Sequence, residues 1–206
     1  MNTLCRNILE AVGNTPLVEL QRLTGPEDAR VIVKVEFLNP GGSIKSRPAL
    51  AMIEAAEREG LLRPDSIIVE PTSGNQGIGL AMVGAVKGYK VKIVMPDSAS
   101  IERRKILENY GAEVILVKDQ GNIGEAMKGC LKLALAMRVA DPRVFVPQQF
   151  ENPNNPRIHR ETTAQEVLRQ FDGPIHAFCS GIGTGGTLAG MGAALKAAYP
   201  DLKVVV

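Results

Sequence analysis

Apolar and polar positions along the chain fall into two kinds of segment that take turns. Short runs dense in Val and Ile, namely VIVKVE (31–36), SIIVEP (66–71), KVKIVMP (90–96), AEVILVK (112–118), RVFVP (143–147) and IHAFCS (175–180), read as buried strands. Between them, residues 46–59, 75–87, 100–110, 122–138, 158–171 and 184–198 carry Ala, Leu, Ile and Met at spacings of three and four, which is the spacing of one apolar helix face. Strand and helix in alternation predict parallel β-α-β units, with crossovers covering both faces of an open sheet: a doubly wound α/β fold. The terminal run DLKVVV (201–206) reads as a strand with no helix after it, so the sequence is expected to be an N-terminal fragment of a longer chain.

Composition narrows the partners. The 206 residues are 45% hydrophobic, enough for a substantial core. Twenty-four basic against 22 acidic residues give a formal charge of +2, with no run of one sign that would track a phosphate backbone, so nucleic acid is not an expected partner. No stretch reaches the roughly 20 apolar residues of a membrane span, and the N-terminus lacks the layout of a signal peptide, so the reading is a soluble cytoplasmic protein. Cys5, Cys130 and Cys179 are widely spaced and form no C-x-x-C pair. Neither a disulfide framework nor a metal site is expected of them, and buried free thiols are the simpler reading.

In a doubly wound sheet, ligands collect at the carboxyl ends of strands. Three turns there are glycine-rich or polar: NPGGSIKSR (39–47), EPTSGNQGIG (70–79) and SGIGTGGTLAG (180–190). The last has the composition of an anion cradle. Its glycines let backbone N–H groups turn toward a ligand, and Thr184 and Thr187 add hydroxyls at a helix N-terminus, where phosphate binds well. GIGTGG also fits the dinucleotide pattern G-x-G-x-x-G, but Asp201 lies before the following strand instead of after it, and this unit comes sixth instead of first. A dinucleotide site and a close-packed glycine turn stay open beside a smaller phosphate ester.

Lys45 and Arg47 sit at the start of a helix, where the macrodipole disfavours cations, so something must offset that cost. Lys45 is not a Walker lysine, because Ile44 stands where glycine is required. A lysine in a phosphate-binding α/β protein can instead condense with an aldehyde, and a positive helix end favours the free amine. Pyridoxal 5'-phosphate carries both the aldehyde and the phosphate, so one ligand would account for two turns. A solvated lysine is the plainer alternative.

The set GNTPLVEL (13–20), NPGGSIKSRPA (39–49), PTSGNQGIGLAM (71–82), PQQFENPNNP (147–156) and GIGTGGTLAG (181–190) resembles the cysteine synthase (O-acetylserine sulfhydrylase) and cystathionine β-synthase family, of the tryptophan-synthase-β-like, fold type II class of pyridoxal-phosphate enzymes. The resemblance runs from about residue 8 to the last residue, in order. It implies two doubly wound open-sheet domains with the cofactor in the cleft between them. Residues 38–145 would form the smaller domain, with a lid over 97–122, and residues 1–37 and 146–206 would form part of the larger one.

By the same resemblance, Lys45 is the Schiff-base lysine and the acid/base at the substrate α-carbon. Asn75 bonds the cofactor's phenolic oxygen, and Gly183, Thr184, Gly185, Gly186 and Thr187 form the phosphate loop. Thr72, Ser73, Gly74 and Gln149 hold the substrate α-carboxylate; Gln76, where cysteine synthases usually have Thr, lies in that loop and puts the substrate's identity in question. Ser46 replaces the residue common after the lysine, and the partner of the pyridine nitrogen would lie beyond residue 206. Taken alone, Thr72 and Ser73 would read as a helix N-cap pair.

The implied reaction is β-replacement on O-acetyl-L-serine by sulfide, through an aminoacrylate, to give L-cysteine by a homodimeric transferase or lyase. The alternatives are a non-catalytic relative that binds a C-terminal peptide such as that of serine acetyltransferase, or a synthase using homocysteine or an amine. His159 and His176 fall in no cofactor motif, and core or surface roles are expected for both.

Overall fold

Every Val- and Ile-rich run becomes a strand, but the strands do not all join one sheet. The computed structural model describes residues 4–206, so residues 1–3 of the 1–37 span lie outside the described residues. The first strand, β1 (Leu17–Glu19), pairs antiparallel with β2 (Ile32–Lys34). This hairpin corrects the expectation of strictly parallel units: β2 is a half-exposed ribbon, with Val33 40% accessible, and its partner is too short to register as an apolar run.

Next come α1 (Ser46–Arg58), β3 (Ile67–Pro71), α2 (Asn75–Lys87), β4 (Lys90–Pro96), α3 (Ile101–Asn109), β5 (Glu113–Val117), α4 (Ile123–Ala140) and β6 (Val144–Phe145). The strands form a parallel sheet in the order β5-β4-β3-β6. Side chains alternate across β3, as strand geometry requires. Ile68 faces a core shared with α1 and α2, built on Ile53, Leu80 and Ile93, whereas Ile67 and Val69 face Cys130 and Ala134 of α4. Helices therefore cover both faces, as a doubly wound sheet demands.

The chain steps outward from β3 through β4 to β5, then returns across the sheet to set β6 on the other side of β3. That reversal is the topological switch point, so the crevice beyond the carboxyl ends of β3 and β6 is where this sheet offers a ligand site. The 72–75 turn follows β3 there, and Pro147–Gln149 follows β6.

The predicted helix over 158–171 is interrupted. It runs as α5 (Asn154–Ile158), a π-helical turn (His159–Thr163) and α6 (Ala164–Gln170). Finally β7 (Ala177–Cys179), α7 (Gly186–Ala198) and β8 (Lys203–Val205) make one parallel β-α-β unit over a third core of Ala164, Val167, Met191, Leu195 and Leu202. Of the three thiols only Cys130 is buried; Cys5 and Cys179 are exposed, against expectation, because the first lies near the terminus and the second on a thin two-stranded sheet. Among the described residues no helix is long and apolar enough to cross a membrane, and no group of three or more His, Cys, Asp or Glu could hold a metal.

Candidate active site

The turn after β3 is built to leave donors free. Thr72 is buried and anchored by its N–H to the Val94 carbonyl (3.0 Å), while its Oγ1 accepts from the Gly74 N–H (3.2 Å). The N-cap of α2 is Gly74 itself, with no side-chain cap, so Thr72 and Ser73 are not the cap pair that composition alone suggests. The first N–H groups of α2 keep their capacity for an anion. Asn75 opens the helix with an exposed side chain. Gln76 is 2% accessible, and neither Oε1 nor Nε2 has a partner among the described residues.

Lys45 is brought against this turn by a glycine. A Cβ at Gly79 would fall 2.8 Å from the Lys45 carbonyl oxygen and 2.8 Å from the Ala49 Cβ, so only glycine lets the start of α1 seat on α2. Gln76 is one step of three residues before Gly79 and shares its face. Burial holds the Lys45 amine below the usual lysine range. Ser46, fully buried, accepts from the Gly41 N–H through Oγ (3.1 Å) and so shapes the loop that delivers the lysine.

Gln76 carries a stability prediction. An unpartnered buried amide costs about 1–3 kcal/mol, and a domain of this size shifts in Tm by about 2–4 °C per kcal/mol. Gln76→Met, close in shape and apolar, is expected to raise the Tm of the ligand-free protein by several degrees in a thermal melt. A lower Tm would mean that the amide is held within the protein.

Arg47 has a different destination. It is 2% accessible, donates through Nε and Nη2 to Glu36 (2.7 and 2.8 Å), and through Nη1 and Nη2 to Glu166 (2.6 and 2.7 Å). Lys34 adds a second cation on Glu166 at 2.7 Å. The Glu166 carboxyl is accordingly pulled down to about 2, its burial outweighed by these partners. Two carboxylates thus offset the charge of Arg47 at the helix start, and no ligand is needed for it.

At the glycine-rich turn, α7 begins at Gly186, two residues later than its periodicity predicts, because Gly185 takes a left-handed conformation (φ 79°). A Cβ at Gly183 or Gly185 would meet nothing within 4 Å, so the turn faces open space. A Cβ at Gly186 would fall 2.2 Å from Asn155 Oδ1, which makes that glycine obligatory. A cavity of about 230 Å³ lies between Gln149–Asn152 and Thr184–Gly186.

Glu70 and Asn155, which sequence reasoning did not single out, support these turns together with His159, for which only a core or surface role was expected. Glu70, 1% accessible, accepts the N–H groups of Gln148 (2.9 Å) and Gln149 (3.0 Å), and burial pushes its carboxyl up to about 7. Asn155, 2% accessible, donates to the Gln149 carbonyl and to Thr184 Oγ1, both at 2.8 Å. His159, fully buried as a core role requires, also has its Nε2 3.4 Å from Thr187 Oγ1 and its Nδ1 3.0 Å from Thr163 Oγ1. Burial, with the charges of Lys45 and Arg47, drives its pKa down to about 4, so the ring is neutral. His176 is exposed. The one available signal was Glu70 itself, an acid inside an apolar strand run.

The structure therefore joins Lys45 to the 72–76 turn by helix packing and Gln149 to Thr184–Gly186 by a shared cavity, with Asn155 and His159 tying the glycine-rich turn to the rest. Comparison with known proteins identifies what the whole chain is similar to. The family described as "pyridoxal-phosphate dependent enzyme" matches residues 8–206. Cysteine synthases of a Flavobacterium species and of Staphylococcus aureus are each 52% identical over 200 residues, 97% of this chain. The chain spans 64% and 63% of their lengths. Among solved structures, a hydrogen sulfide-producing enzyme from Fusobacterium nucleatum matches with a TM-score of 0.90 and 46% identity over 98% of this chain and 66% of its own. O-ureido-L-serine synthase matches with a TM-score of 0.90 and 46% identity over 98% of this chain and 62% of its own.

Proposed function

We propose, on the premise that the chain belongs to the pyridoxal-phosphate-dependent enzyme family, that its turns hold pyridoxal 5'-phosphate and an amino-acid substrate for β-replacement, with O-acetyl-L-serine and sulfide as substrates and L-cysteine as product. The observation that carries this reading is the seating of Lys45, through Gly79, against the turn that opens α2 at the switch point of the sheet.

The residues fit the group. Gly183 and Gly185 face open space at the N-terminus of α7, where N–H groups suit a phosphate. Lys45 is an amine whose burial favours its unprotonated, nucleophilic form. The buried amide of Gln76 has no hydrogen-bond partner among the described residues, which suits it to a polar ligand. In this reading Lys45, Asn75 and Gly183–Thr187 hold the cofactor, and Thr72, Ser73, Gly74, Gln76 and Gln149 hold the α-carboxylate. When bound, the cofactor supplies an electron sink that acidifies the substrate α-proton.

Lys45 Nζ then takes that proton and later returns it, while Thr72, Ser73 and Gln149 orient the carboxylate so that the α C–H faces Nζ. Acetate departs from the β-carbon, and hydrosulfide adds there. Residues 38–145 form the smaller domain of this reading, and 97–122, which folds as α3 and β5, serves as its lid. Arg103 of α3 already donates to the Ser73 carbonyl at 3.2 Å. The test is acetate release from O-acetyl-L-serine by the pyridoxal-phosphate-loaded protein, followed by a sulfide chase. Stoichiometric acetate before sulfide and cysteine after it are expected; no acetate would overturn the reading.

A second reading, synthesis of another β-substituted alanine from an amine or similar nucleophile, is favoured by one observation. Among the described residues Gln76 has both a donor and an acceptor without a partner, more than a carboxylate alone can use. Product analysis with competing nucleophiles separates the two.

A further inference from the structure

Gln149 is gripped from both sides by groups that reach it from distant parts of the fold. On one side the Glu70 carboxylate, at the end of β3, takes two consecutive N–H groups, one per oxygen (2.9 and 3.0 Å). This holds Gln148 at φ 55°, a left-handed conformation unusual for a residue other than glycine. On the other side, Asn155 Nδ2 donates to the Gln149 carbonyl and also to Thr184 Oγ1, both at 2.8 Å. Thr184 Oγ1 accepts a second bond from the Gly186 N–H (3.3 Å). With its oxygen so used, the Thr184 hydroxyl keeps its proton to donate, and the neighbouring glycines leave open space for an anion to receive it.

We propose that Glu70 and Asn155 are positioning residues that couple the carboxylate subsite to the phosphate cradle through the main chain of Gln149; this deepens the pyridoxal-phosphate reading and rests on it. An anion at the cradle fixes the Thr184 hydroxyl, Thr184 fixes Asn155, and Asn155 fixes the peptide that presents the Gln149 amide. Occupancy of either subsite therefore orders the other, and the effect is reciprocal. A buried acid with no cation beside it among the described residues is an expensive way to hold a turn, and a purely structural turn does not require one.

The test uses the loaded protein and propionate, which carries a carboxylate but no amine to react. The pyridoxal-phosphate dissociation constant is measured by equilibrium dialysis with and without saturating propionate. In the wild type, propionate is expected to tighten retention by about fivefold or more, the lower end of ordinary site coupling. In Asn155→Ala and in Asn155→Asp, which keeps the shape but loses the donor, the factor is expected to fall below about two. Should those variants not fold, Glu70→Gln serves: it is expected to weaken propionate binding by about fivefold while retention without propionate stays within about twofold.

No coupling in the wild type, unchanged coupling in the Asn155 variants, or equal loss of both affinities in Glu70→Gln would overturn the proposal. A wild type that fails to retain pyridoxal phosphate would count against the function reading. The coupling is then decided by the same comparison with inorganic phosphate in place of the cofactor.

Discussion

Arg47→Met is expected to cost about 3–5 kcal/mol of folding stability, the usual penalty for removing one partner from a buried ion pair, against a total that is rarely above about 15 kcal/mol. Methionine fills much of the same space, so the loss comes from the carboxylates left behind. Glu166 keeps Lys34 at 2.7 Å, but among the described residues Glu36 keeps only hydroxyl and amide donors, from Thr15 (2.6 Å) and Asn39 (2.8 Å). The effect depends on pH with a definite sign. Glu166 titrates near 2 when folded against an ordinary 4.5, so in the wild type its contribution is fully present above pH 4.5 and is lost as pH falls from there toward 2. In the variant the stranded carboxylates bind protons more readily and escape part of the penalty in acid. Denaturant melts across pH should show the largest gap between wild type and variant near neutrality and a narrower one near pH 4. A gap that is constant with pH would mean that Arg47 acts through packing alone.

That ion-pair hub also marks where sequence reading ends. The cost of a cation at the start of α1 was legible from residues 45–47, but Glu166 lies 119 residues away and sits in an ordinary helical pattern. Nothing local pairs the two. Periodicity gave α2 and β4 to the residue, because alternating and three-four patterns are local properties of buried elements. β2 was legible in the 31–36 run, but its antiparallel partner β1 escaped because three residues, Leu17–Glu19, carry no apolar run. The turns bearing Lys45, Thr72–Gln76 and Gly183–Thr187 could be picked out from glycines and hydroxyls. The packing of Lys45 against the 72–76 turn could not, because it depends on the Gly79 contact that seats the start of α1 on α2. Asn155 was not singled out, because its two bonds exist only once α5 and the 183–187 turn are side by side.

Lys45→Ala is expected to show the opposite signature to Arg47→Met: chemistry lost, fold kept. Among the described residues the Lys45 amine has no ion-pair or hydrogen-bond partner, and burial of the amine alone shifts its proton affinity, downward. Removing it takes away a partly desolvated charge, so Tm should hold or rise. Acetate release from O-acetyl-L-serine should fall by about 10²–10⁴, the range for a positioned proton-transfer group, and more if the amine also serves to seat the cofactor. Lys45→Arg should not restore it, because a guanidinium stays protonated at any working pH and cannot accept the α-proton. The pH profile separates this role from a structural one. An amine held below the usual value of about 10.4 loses its proton earlier, so the rising limb of kcat/KM should inflect below that value in the wild type and vanish in Lys45→Ala. A Lys45→Ala protein that melts several degrees lower, or that keeps the rising limb, would show that the lysine at the mouth of α1 supports the fold and that the proton is carried elsewhere.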